Sequence, residues 1–113
     1  MPTDFRDGKT FPRRGREPIA GFLWLARVID KARAAAAGTI HDYIYPCPMD
    51  RGVFERWGIK AEEFDEALRS HAQDQDVLEW LRKRVGPAQQ EAANRWLLDE
   101  RRTNLDAQDR DEN

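Results

Sequence analysis

The chain holds one cysteine and two histidines, and the cysteine stands in the run Tyr43-Ile44-Tyr45-Pro46-Cys47-Pro48-Met49-Asp50-Arg51. Thiolate chemistry is the sharpest reaction such a stretch could support. A covalent cysteine nucleophile needs a base within hydrogen-bond reach. His41, six residues upstream, is the nearer histidine in sequence, so Cys47 and His41 form the candidate catalytic pair. Each proline disfavours helical geometry for the residue before it, which predicts extended backbone at Tyr45 and Cys47. With Pro48 as the first helical residue, Cys47 becomes an N-cap. Unpaired backbone N–H groups and the positive end of a helix dipole favour thiolates at such positions. The competing role is packing, the usual fate of a free cysteine, and it is the favoured one.

A second constellation surrounds the first. Arg27 with Lys31, and Asp30 with Arg33, are spaced as neighbours on one helix face. With Arg51 they could gather an anion beside the two tyrosines. Arg27, Lys31, Arg51, Tyr43, Tyr45, Asp30 and Asp50 are therefore the candidate ligand-binding residues. Asp30 is expected to accept from tyrosine hydroxyls or backbone N–H groups of the loop, because a buried carboxylate needs donors. Zinc asks for four N, S or O ligands, usually in close-spaced pairs. The sequence offers no CxxC and no HxxxH pair, so no metal and no cofactor is expected.

Other features have plainer readings. Arg82, Lys83 and Arg84 complement the C-terminus of a helix. Trp24, Phe54, Trp57, Phe64, Trp80 and Trp96 recur at helical spacing and read as core, not as base-stacking platforms. The 19 basic and 21 acidic residues nearly cancel, which supplies no long-range attraction to nucleic acid or an anionic membrane. The opening residues lack the apolar region of a secretory signal, and no apolar run reaches the roughly 20 residues of a transmembrane helix. A cytoplasmic location is the expectation.

These side chains must be positioned by helices. Residues 1–18, with three prolines and two glycines, read as an extended arm that Phe5 and Phe11 could pin. Residues 19–98 read as one helical domain. Its first long helix is expected from Ile19, with Phe22, Leu25, Ile29, Ala32 and Ala36 on one face and Gly38 as the stop. A Pro-rich ordered loop follows, then a short helix ending at Gly58, two amphipathic helices through Phe64 and Leu81, and a last one opened by Pro87. Residues 99–113 carry six acids, three arginines and one leucine, too little apolar surface to offset the entropy of ordering, and read as a disordered tail. The fold class is all-α: a single-domain bundle of about five helices.

The stretch Ile-Asp-Lys-Ala-Arg-Ala at 29–34 and the pattern Tyr-x-Tyr-Pro-Cys-Pro-x-Asp at 43–50 resemble a bacterial family described as domain of unknown function 5069. The resemblance runs from about Gly21 to Leu98, with Met49 standing where that family usually has Leu. It implies a compact bacterial protein of unassigned activity and transfers no catalytic residue. The sequence thus points to a non-enzymatic module that binds a protein partner, a second copy in a homodimer, or a small anionic ligand. The alternative is a small enzyme or thiol sensor built on Cys47.

Overall fold

Helix formation in this chain is punctuated by backbone that only some residues tolerate. In the computed structural model, which describes residues 3–112, the first helix opens only after three positive-φ residues, Ala20, Gly21 and Trp24. It runs as α1 (Leu25–Ala37) and closes on Gly38 in left-handed geometry. The expected start at Ile19 is therefore six residues too early. The apolar periodicity of residues 19–24 belongs instead to a tightly turned lead-in, with an isolated bridge between Ile19 and Phe22.

Five more helices follow: α2 (Pro48–Trp57), α3 (Ala61–Ser70), α4 (Asp74–Arg82), α5 (Pro87–Asp99) and α6 (Arg102–Asp111). The molecule is all-helical, with six helices instead of about five and no strand among the described residues. None of these helices is long and apolar enough to cross a membrane. Prolines sit in the first turn of α2 and of α5, where the missing N–H costs nothing.

The core joins α1, α2, α3, α4 and α5 through Trp24, Ile29, Val53, Trp57, Phe64, Leu81 and Leu97, all almost fully buried. α2 packs chiefly on α5, and α1 meets α3. Phe54 links the helices through ring contacts with Tyr45, Trp57 and Phe64. Each such aromatic pair contributes about 0.5–1.5 kcal/mol beyond area burial.

The two ends of the chain depart furthest from expectation. Residues 102–111 form α6, not a disordered tail. One apolar anchor, Leu105, is buried, and charge does the rest. Arg16 of the arm spans Asp106 and Asp109 at 2.7 Å each, while Glu112 reaches Arg27 at 2.7 Å. The arm itself is fixed: Phe5 is buried, its N–H donates to the Thr39 carbonyl, and Arg13 binds α1 and α4. Phe11 is only half-buried.

Candidate functional site

The loop 39–47 connects α1 to α2, and its ending obeys proline sterics. Cys47 is extended (φ −86°, ψ 173°) and is the N-cap of α2, with Pro48 as the first helical residue. Three residues into that helix Asp50 turns its carboxylate back into the protein. Oδ2 accepts the Cys47 backbone N–H at 2.9 Å and the Lys31 Nζ at 2.7 Å, and Oδ1 accepts the Trp24 indole N–H at 2.8 Å. Asp50 is wholly buried and Lys31 almost so, so each is the counter-charge that makes the other tolerable. The same ammonium donates to Cys47 Sγ at 3.2 Å. The half-buried sulfur packs against the core. His41 stands exposed, 3.4 Å from Asp42. Among the described residues no hydrogen bond joins it to Cys47, so the sequence-based Cys–His pair is not assembled in this structure.

Arg27 is the second buried cation. Its guanidinium lies over the rings of Trp24 and Tyr43, at 5.5 and 5.7 Å from their centroids. Nη1 and Nη2 donate to the Glu112 carboxylate at 2.8 and 2.7 Å, and the Tyr43 hydroxyl donates to the same carboxylate at 3.0 Å. Burial, and next the Glu112 charge, push the Tyr43 phenol up to about 12. Tyr45 donates its hydroxyl to Asp65 at 2.6 Å, and burial followed by that carboxylate raises its pKa strongly. Both phenols are thereby held in the protonated state.

The expected pocket in which Arg27, Lys31 and Arg51 share one anion is corrected by these contacts. Lys31 is spent on Asp50, Arg27 on Glu112, and Arg51 is exposed on α2. Asp30, expected to accept from tyrosine hydroxyls or backbone N–H groups of the loop, takes its donors from the arm instead. It accepts the Arg13 backbone N–H at 2.8 Å and that residue's guanidinium at 3.0 Å, and Arg13 also holds Asp74 at 2.6 Å. Burial raises the Asp30 pKa, against the opposing pull of Arg13.

An open groove lies instead between the outer face of α1 and α3. It encloses about 650 Å³ and is walled by Ala32, Ala35, Ala36, Tyr45, Leu68 and Arg33, with Asp65 and Arg69 on its polar side. Arg33 donates to the carbonyls of Leu68 and His71 at 3.2 and 2.7 Å, which closes the C-terminal end of α3. Those acceptors are neutral. No carboxylate pairs with Arg33 among the described residues, and its Nε is buried without a partner. Arg69 pairs with Glu66 one turn away in solvent.

Sequence reasoning missed Arg13, Asp65 and Glu112, because their partners lie 17, 20 and 85 residues away. In the sequence Arg33 stands out only as the i+3 neighbour of Asp30 on a charged helix face. Among the described residues no three His, Cys, Asp or Glu side chains gather as a metal would require. A family model described as domain of unknown function (DUF5069) matches residues 9–113. No curated protein matches the chain.

Proposed function

The chain belongs to the DUF5069 family, and from that premise we propose that it works as a non-enzymatic binding module whose ligand seat is the groove between α1 and α3. The observation that carries this reading is Arg33: a cation on the groove wall whose acceptors are backbone carbonyls and which no carboxylate pairs among the described residues. The groove's roughly 650 Å³ falls in the range of small-molecule sites, about 300–1,000 Å³. Its alanine and leucine lining suits an apolar body, and Arg33 an anionic head. The ligand class is therefore a small amphiphilic anion, and the setting proposed is the bacterial cytoplasm.

Titration with decanoate and with decanol, followed by amide chemical shifts, tests this. Decanoate should perturb residues 32–37 and 65–69, decanol should bind more weakly, and Arg33→Gln should reduce decanoate affinity by about tenfold, the loss of one charge-assisted hydrogen bond. Shifts confined to other parts of the surface would remove the groove from consideration.

A second reading, a thiol-based sensor, is favoured by one contact, the 3.2 Å approach of Lys31 Nζ to Cys47 Sγ. It demands a thiol that alkylates rapidly in the folded protein at neutral pH. An inert thiol under those conditions sinks it.

A further inference from the structure

Glu112 is a ligand-like group held in a built site. Its carboxylate receives three donors, two from a guanidinium that is nearly inaccessible to solvent and one from a phenol. That guanidinium is within cation–π distance of two aromatic rings, and its Nε is buried with no acceptor. The occupant, in contrast, is weakly fastened. Glu112 is the residue that closes α6, a helix with a single buried side chain, Leu105, which packs beside Gly15 and Trp24; the rest of the helix is tied by a long contact from Gln108 to Met49 and by the Arg16 pairs, in which both partners are partly exposed. Helix ends with few apolar contacts open at low free energy, and ion pairs near solvent weaken as salt screens them.

Tyr43 also belongs to a second feature. With Phe5, Phe11 and His41 it bounds a hollow of about 210 Å³ on the surface beside the arm, completed by Gly8, Thr10 and Asp42, and the Phe5 and Tyr43 rings meet edge-on at 5.2 Å. One residue thus contributes its hydroxyl to the carboxylate site and lines a hollow that Phe5 and Phe11 share.

We propose that Arg27 and Tyr43 form a carboxylate-binding site which Glu112 fills in cis, and that a small monocarboxylate with a planar apolar body displaces it, seating its body in the Phe5–Phe11–Tyr43 hollow. Net charge selects the class. Lys31 is already neutralised by Asp50, and Asp42, which also lines the hollow, is exposed to solvent, so Arg27 brings the one buried positive charge and matches a monoanion, not a phosphate dianion. Two parallel N–H donors on a guanidinium fit the planar carboxylate. The site shares no lining residue with the α1–α3 groove, and the proposal stands or falls separately from it.

The test is calorimetric titration of the full chain with benzoate, acetate and inorganic phosphate, on the wild type and on Glu112→Ala, with helix content checked by circular dichroism. Emptying the site should tighten benzoate binding by about tenfold or more, the worth of removing a competing charge-assisted contact. In the wild type, benzoate should accelerate amide exchange across residues 102–111. Tyr43→Phe placed on Glu112→Ala should weaken benzoate several-fold, since it deletes only the phenolic donor. Equal benzoate affinity in wild type and Glu112→Ala, with no change in exchange, overturns the proposal. Acetate binding as tightly as benzoate overturns the assignment of the hollow, and phosphate binding more tightly than either overturns the monocarboxylate.

Discussion

Gly52 of α2 and Trp96 of α5 are packed so closely that a methyl group on Gly52 would stand 2.1 Å from Cη2 of the indole. Glycine inside a helix ordinarily costs about 0.5–1 kcal/mol relative to alanine. Here it lets the main packing partner of α2 approach the backbone. The indole has little room to withdraw, since the Arg56 and Arg101 guanidiniums lie at 4.1 and 5.2 Å from its ring.

Gly52→Ala should therefore destabilise the protein despite its better helix propensity. Overpacking of this kind costs about 1–3 kcal/mol, read as a lower urea midpoint with unchanged slope. A midpoint at or above that of the wild type would mean that the indole relocates freely.

Lys31→Met removes the counter-charge of a fully buried carboxylate. The expected loss is about 3–5 kcal/mol, the usual result of breaking a buried pair from one side. Adding Asp50→Asn to that variant removes the stranded charge while leaving the indole of Trp24 an acceptor. The double mutant should recover part of the loss, with a coupling energy of roughly 0.5–3 kcal/mol. Strict additivity would show that the pair is not coupled.

The tyrosines give a pH signature. Tyr43 is raised from an ordinary value of 10.0 to about 12, and Tyr45 is also raised. A folded-state pKa above the unfolded one contributes stability that is fully present below pH 10 and is lost as pH climbs through about 12. Ultraviolet titration of the chain's two tyrosines should show little tyrosinate at pH 10 while the protein is folded. Glu112→Gln removes the second-largest cause after burial, and should bring one of the two ionisations, that of Tyr43, downward. Ordinary ionisation near pH 10 with native helix content would contradict the buried hydrogen bonds.

What the sequence made legible is local. Pro48, Gly38, Gly58 and Pro87 mark helix boundaries through their own backbone restrictions, and Cys47 as N-cap follows from the proline after it. The aromatic residues at helical spacing are core, or packed on it in the case of Trp80. What stayed hidden depends on distant partners. α6 has the composition of a disordered segment, and nothing within it announces that Arg16 and Arg27 neutralise its acids from 85 to 93 residues away. For the same reason Arg27 reads as free in the sequence: its carboxylate comes from the far end of the chain. The false start at Ile19 has another origin. A helical apolar period was present, but the chain turns through left-handed backbone at Ala20, Gly21 and Trp24 before α1 begins.

That left-handed Trp24 has a spectroscopic consequence. Its N–H is bonded to the Gly15 carbonyl at 2.7 Å, its indole N–H to Asp50, and its ring lies over Gly15 with Leu105 close by. One chromophore is thus in touch with the arm, with α2 and with α6. Trp57, by contrast, is enclosed with its indole N–H unpaired and should emit at the short-wavelength end. In a chain whose other three tryptophans are replaced by phenylalanine, the emission colour of Trp24 becomes an optical gauge of how firmly both ends of the polypeptide are seated.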